Sequence, residues 1–394
     1  MDRRGFVAAA AGAATGLAFV NAAYSAPTEH AAAKGSLSIF DFGATGDGET
    51  DDSAAFRKAL DTAAKEGRMV LVPGLTYAIA QPINLVSTNN VGQAWGLQCQ
   101  GARLLSKLTK GETILSLTSK HTVRYFRLVG GLTITGSGTD GNGLHIFCPG
   151  SKAFFYNATL EGLSIERAGI HGLLLEGNVF ESVILTSFFQ DCKKHGATFA
   201  HSQGGVCSAI NVIGCFFNQN GEYGLCATNF DGPYGGTTDV RVYGGYCRDN
   251  QSYGFFYNNG TGAGCLEQVG FENNCRALKP GDPEGAHIYG LNAMQLRQCA
   301  GYNEYGGATY LLRGWFQGLT VLESCTQAAG GAVGATGKSR LVQVNGNEKG
   351  HVLVSRSGGV IDIVEGSHCT WSAVNSTGPS PRGDLDVRGV ISSA

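Results

Sequence analysis

The feature that most restricts this chain is a glycine that returns at a nearly constant interval. Gly143, Gly172, Gly196, Gly224, Gly254 and Gly285 are separated by 29, 24, 28, 30 and 31 residues. The segments around them superimpose: 239–259 on 209–229, with earlier units at 183–199 and 160–175. A period of 20 to 50 residues means a solenoid or a propeller. Each unit holds short alternating strands broken by polar turns, and no helical stretch. A coil of this length with two or three strands per turn is a parallel β-helix. Leucine-rich repeats would show a Leu/Asn signature that is absent.

In such a coil equivalent residues stack about 4.8 Å apart. The residues after each glycine, Leu144, Leu173, Ala197, Leu225, Phe255 and Ala286, then form one core ladder. Ile146, Leu175, Phe199, Ala227, Tyr257 and Ile288 form a second. Composition agrees: glycine is 60 of 394 residues, about twice its usual share, as many tight turns require. A hydrophobic content of 43% argues against disorder. A net charge of −2 lacks the basic stripe of a nucleic-acid partner and gives no electrostatic hold on a membrane.

Residues 1–25 read as an export signal of the twin-arginine type. Arg3-Arg4-Gly5-Phe6 precedes an Ala-rich run, and Ala23-Tyr24-Ser25 offers a cleavage site. The expected location is periplasmic or secreted. Residues 36–90 form an N-terminal cap and first coils, 91–376 the β-helix, and 377–394 a tail. Of the 12 cysteines, Cys192, Cys215, Cys247, Cys265, Cys275, Cys299 and Cys325 recur about once per coil. That favours a ladder of free buried thiols over a disulfide framework.

The cap reads as a strand over 36–42, a turn over 43–52 ending in helix-capping residues, and a helix over 53–66. Its apolar stripe is Ala54, Phe56, Ala59, Leu60 and Ala63. Asp47, Glu49 and Asp51 alternate as calcium ligands do. However, Asp52 stands where the loop needs glycine and Lys58 where it needs glutamate, so no cofactor is expected.

Phe40-Asp-Phe-Gly-Ala-Thr-Gly-Asp-Gly-Glu-Thr-Asp-Asp-Ser-Ala-Ala-Phe, with Val70-Leu-Val-Pro-Gly, resembles the N-terminal signature of the pectate-lyase-like superfamily. That superfamily includes polygalacturonases, polysaccharide lyases, alginate epimerases and phage tailspikes. The resemblance implies an all-β, single-stranded right-handed parallel β-helix with an N-terminal capping α-helix, and a polysaccharide partner. It does not imply a reaction, because these residues cap the coil. Ile170-His171-Gly172 is similar to the polygalacturonase histidine motif, but Ser252-Tyr253 stands where a paired aspartate is expected. The epimerase Asp-Pro-His-Glu motif is also absent.

Candidate chemistry lies just before the register glycines, where Asn142, His171, His195, Tyr223, Tyr253 and Glu284 stack. Lys194, Glu222 and Ser252 lie one step earlier, with His145 and His287 two steps after the glycine. Such a wall suits β-elimination from a uronic-acid polymer. Lys194, with Arg248 or Arg313 as substitutes, would neutralise the sugar carboxylate. His195 or His171 would take the C5 proton and Tyr223 would protonate the leaving oxygen, with Tyr253 beside it. Asn218, Asn220, Asn250 and Asn273 read as a structural asparagine ladder. Asp231 and Tyr234, in the loop over 229–236, border the groove as further binding candidates.

Two other readings remain. One is a glycoside hydrolase or transglycosidase using Glu222 with Glu284 or Asp231. The other is a non-catalytic carbohydrate-binding or structural β-helix. The chain would act as a monomer or homotrimer.

Overall fold

The computed structural model describes residues 37–374 and 387–388, apart from 88, 151, 233–236, 259–263, 280–281, 283, 292, 304–307, 309, 316–318, 330–339, 345–349, 356, 358–359 and 364–368. Residues 1–25, where an export signal is expected, and most of the tail lie outside the described residues, as does Tyr234.

Most turns of the chain lay a strand into each of three parallel sheets. These have 16, 11 and 12 strands among the described residues and are here called A, B and C. This is a right-handed parallel β-helix. Its core is the interior of the coil, filled by inward residues of all three sheets. The two ladders expected in sheet C are in register. Leu144 pairs with Leu173, then Ala197, Leu225 and Phe255. Ile146, Leu175, Phe199, Ala227 and Tyr257 follow the same path.

The next coil departs from the expectation. Phe255 faces Ile288 and Tyr257 faces Gly290, so the register is two residues later than Gly285 implied. The long connection over 277–285 takes up the difference. His287 therefore occupies the place that Gly254 holds one coil earlier.

The N-terminus also differs from the sequence reading. Only Leu37–Ser38 is strand; Ile39–Phe42 is a 3-10 turn closed by a capping box between Ser38 and Asp41. Asp47–Asp51 is a strand of sheet B, not a turn. Asp52 makes no side-chain cap to the helix Ser53–Glu66; its carboxylate accepts from the Thr45 and Gly46 N–H groups instead. Asp51 accepts from the Ser53 N–H at 3.1 Å. The helix buries Ala55 in place of Ala54, beside Phe56, Ala59, Leu60 and Ala63. Phe56 meets Tyr77 edge-on at 5.2 Å. This apolar stripe covers the open end of the coil, which would otherwise expose core and strand edges.

At the turn from B to C the asparagines align. Asn220 donates to Asn250 at 2.9 Å and Asn250 to Asn274 at 2.8 Å. Their amides also donate to the Phe189, Phe217 and Cys247 carbonyls. Asn218 and Asn273, assigned to this ladder from sequence, are not in it. Asn218 is paired with Arg248 in sheet B, and Asn273 contacts Glu272. His287 ends the ladder, its Nδ1 3.1 Å from the Asn274 amide.

Close packing at this turn explains the register glycines. A Cβ at Gly196 would lie 2.7 Å from the Gly224 carbonyl oxygen and 2.8 Å from the Asn220 amide nitrogen. At Gly224 the same distances to Gly254 and Asn250 are 2.6 and 3.0 Å. The cysteines from Cys99 to Cys325 are free thiols. They do not form one column: Cys215, Cys299 and Cys325 each reach carbonyls at the A-to-B turn, whereas Cys247 belongs to sheet B.

Gly224→Ala should lower the unfolding free energy by roughly 1–3 kcal/mol through overpacking. Asn250→Ala should cost about 2–3 kcal/mol, because it leaves buried backbone and amide groups without partners. Denaturant titration of the folded protein checks both.

Candidate functional site

The residues before the register glycines form one continuous stack. His171 and His195 rings lie 4.7 Å apart and His195 and Tyr223 rings 4.6 Å apart, nearly parallel. Tyr223 stacks on Phe256 at 4.7 Å and lies 5.9 Å from Tyr253. Tyr253 stacks on Tyr289 at 5.0 Å, and the Arg313 guanidinium sits 6.0 Å from the Tyr289 ring. Phe256, Tyr289 and Arg313 enter from the outward column of sheet C that passes through His145, Leu174, Thr198 and Cys226. Leu174, Thr198 and Cys226 point outward yet are buried, because the rings lean over them. The Thr198 hydroxyl is 3.3 Å from His171 Nδ1.

Stacking and burial set the proton chemistry. Burial pushes His171 down to about 4, with the charges of Lys194 and His145 adding to the effect. Burial pushes His195 down to about 3, helped by His171 and Lys194. Burial raises Tyr223 to about 12 and moves Tyr253 in the same direction. At neutral pH the rings are therefore uncharged imidazoles beside protonated phenols. His195 Nδ1 accepts the Tyr223 backbone N–H at 3.3 Å, so that nitrogen carries no proton. Its 3.5 Å approach to Glu222 joins a neutral ring to a carboxylate and is not an ion pair.

Lys194, Glu222 and Ser252 form the neighbouring column. Glu222 N–H donates to the Lys194 carbonyl and Ser252 N–H to the Glu222 carbonyl, both at 2.8 Å. The Lys194 and Glu222 side chains are exposed beside the rings.

The remaining candidates separate. Arg313 is buried in the wall, where it donates to the Glu284 carbonyl at 2.8 Å and pairs with its carboxylate. Glu284 thus borders the wall through Arg313, not as the ring column's next member. The register shift leaves Ala286 at that rung, and Tyr289, opposite Phe256 in the sheet C column, supplies the ring on which Tyr253 stacks. His287 cannot touch a ligand: it is fully buried at the end of the asparagine ladder. Arg248 is not on this wall either. It lies on sheet B and is paired with Asp249 at 2.8 Å, so its charge is already answered.

Across the same sheet lies a second cluster, in which His145 and Asp231 were expected from sequence but Glu176 and His201 were not. His145 Nε2 and Glu176 are 2.8 Å apart. Burial pushes the Glu176 carboxyl up, but hydrogen bonds from His145 and Ser202 and the charge of His145 outweigh it and hold the group below its ordinary value. Asp231 accepts from the Gln203 and Gly204 N–H groups at 2.9 Å and lies 3.3 Å from His201 Nε2. Those two N–H bonds lower its carboxyl, and its charge is felt at Glu176. The buried His201 Nδ1 has no hydrogen-bond partner among the described residues. One signal for this cluster was present: Glu176 is an acid on the otherwise apolar strand Leu173–Gly177.

Comparison with known proteins agrees with the fold. Residues 36–111 match the family model described as rhamnogalacturonase A/epimerase, pectate lyase-like. No curated protein sequence matches the chain. Among solved structures, PfbA, a surface adhesin of Streptococcus pneumoniae, is 13% identical with a TM-score of 0.60. The match covers 90% of this chain and 91% of that one. The Agl-KA catalytic domain is 13% identical with a TM-score of 0.54, over 89% of this chain and 69% of that one. Geobacillus virus E2 ORF18 is 15% identical with a TM-score of 0.48, over 90% of this chain, which spans 60% of that protein. These likenesses show the fold, a parallel β-helix, and residues 36–111 carry the pectate lyase-like match.

The depressed histidines predict an acid-sensitive fold. His171, His195 and His287 are held near 4, 3 and 3, against 6.5 for an unhindered ring. Between those values the unfolded chain binds more protons than the folded one, so stability rises with pH. It is complete above about pH 6.5 and is lost as pH falls through the window. Each ring contributes a slope of roughly 1.4 kcal/mol per pH unit there. Denaturant titrations between pH 7 and 4.5 should show the decline. His287→Gln should make it shallower by one such slope.

Proposed function

We propose that this protein is an exported, polysaccharide-acting enzyme whose polymer lies along the outer face of sheet C. We further propose that it cleaves a uronate-containing chain by β-elimination. One observation carries the reading: two uncharged imidazoles and a protonated phenol are stacked in sequence, at successive ring spacings of 4.7 and 4.6 Å, where the Lys194 charge is felt by both imidazoles. The superfamily fold and the match of residues 36–111 support a carbohydrate polymer as substrate. The Arg3-Arg4 signal supports export.

Lys194 pairs with the sugar carboxylate and makes the adjacent C5 proton more acidic. His195 takes that proton on Nδ1, the ring's one unprotonated nitrogen, which gives up the bond it accepts from the Tyr223 N–H. The C5–H electron pair becomes the C4–C5 double bond, the C4–O bond breaks, and the Tyr223 phenol protonates the departing oxygen. The proton gained by His195 returns to Tyr223 through solvent. A ring held near 3 is a weak base in the free protein. The bound uronate supplies the correction, because its negative charge favours the imidazolium and raises the ring toward the working pH.

The Glu176 cluster favours a second reading, hydrolysis. Glu176 is an ionised, largely buried carboxylate oriented by His145, with Asp231 close enough to be felt. Glycoside hydrolysis uses such paired carboxylates.

Purified protein incubated with acidic and neutral polysaccharides separates the readings. Elimination creates an ultraviolet-absorbing unsaturated end on a uronate polymer. Lys194→Ala, His195→Ala and Tyr223→Phe should each lower kcat/KM by about 100-fold or more. Reducing ends without that absorbance, abolished by Glu176→Gln and retained in His195→Ala, would replace elimination with hydrolysis.

A further inference from the structure

Sheet B carries a different surface on another side of the coil. Its outward column runs Thr76, Arg103, Thr133, Ser164, Phe188, Phe216 and Tyr246, each paired with the next. Two of its C-terminal rings stack: Phe188 and Phe216 lie 4.7 Å apart with planes only 5° from parallel. The stack stops at Phe188. One face of that ring is covered by Phe216; the other looks along the axis toward Ser164, whose side chain is too short to cover it. Phe188 is accordingly 44% exposed, high for a phenylalanine inside a sheet.

Beyond Ser164 the surface is polar and concave. A groove of about 760 Å³ is lined by Asp47, Thr76, Arg103, Thr133, Ser164 and Glu166, among others. Its polar groups are held in place. Arg103 donates to the Thr135 hydroxyl and to Glu166, both at 2.9 Å, and the Thr135 hydroxyl donates to Glu166 at 2.7 Å. Gln190 reaches the other Glu166 oxygen at 3.5 Å. These contacts fix the guanidinium and carboxylate while leaving part of each facing the groove; the side chains are 43% and 23% exposed. From Arg103 to Phe188 is three rungs, about 14 Å, and the two rungs between carry only Thr133 and Ser164.

We propose that this notch is a second carbohydrate-binding site, remote from the wall on sheet C, and that it takes a short segment of neutral glycan. A sugar ring fits where the column lacks an aromatic: it stacks its apolar face on Phe188 and presents its hydroxyls to Arg103 and Glu166. Arg103 is paired with Glu166, and Asp47 adds negative charge, so the notch has no spare cation for a uronate carboxylate. The site holds polymer to the protein and takes no part in bond cleavage.

The test titrates the full-length folded protein by calorimetry with cellohexaose, maltohexaose, laminarihexaose and, as the anionic comparison, hexagalacturonate. At least one neutral hexasaccharide should bind, and Phe188→Ala should weaken it at least tenfold. Ser164→Phe should do the same without loss of fold, because it extends the ring stack into the notch. His195→Ala should leave this binding unchanged. The proposal is overturned if no neutral hexasaccharide binds, if Ser164→Phe and Phe188→Ala leave affinity unaltered, or if only hexagalacturonate depends on these two residues.

Discussion

In-register parallel pairing is the constraint on which the rest of this molecule depends. Each residue has its counterpart about 4.8 Å above and below, close to the thickness of a π-stack and the reach of an amide hydrogen bond. Columns of like residues are therefore stable and mixed columns must be reconciled. The asparagines solve this by donating to one another and to the coil's carbonyls. The rings solve it by stacking, from His171 to Tyr289. Glycine is fixed at the turn between these columns because a Cβ there would strike both the next carbonyl and the amide ladder.

The same stacking governs reactivity. A histidine with rings on its faces loses water, and with water the stabilisation of its charged form. His171 and His195 therefore stay neutral over the ordinary pH range, and their neighbour Lys194 reinforces the effect. Two further histidines on the same wall are engaged with carboxylates instead: His145 with Glu176, His201 with Asp231. The outer face of sheet C thus holds a neutral histidine column and a histidine–carboxylate cluster on one surface.

Much of this was legible in the sequence, because a one-dimensional repeat carries its own spatial map. The period gave the coil, and the positions around the register glycine gave the core ladders and the neighbours His171, His195 and Tyr223. The reading failed where the repeat is interrupted. The connection at 277–285 moves the register by two residues, which sends His287 inward and brings Tyr289 to the wall. No local propensity encodes that shift. Asparagine was recognised as a ladder residue, but adjacent asparagines differ only in which way the turn points them, so Asn273 was taken for Asn274. Arg248 was misplaced for a related reason: six residues before Gly254 it still belongs to sheet B, where Asp249 holds it.

A coil built from columns has a direct way to make a binding surface, which is to break a column. Where every rung carries a ring, the faces are consumed by neighbours and only edges reach solvent. Where large residues give way to small ones, the last ring keeps an open face and the missing rungs leave a notch of matching thickness. Sheet B has this arrangement at Ser164 and Phe188, next to a guanidinium and a carboxylate already fixed by each other. On sheet C the column instead passes from rings to the Arg313 guanidinium, which covers the last face of Tyr289. Ring stacks on two sides of one coil thus end in opposite ways, one closed by a cation and one left open to a ligand.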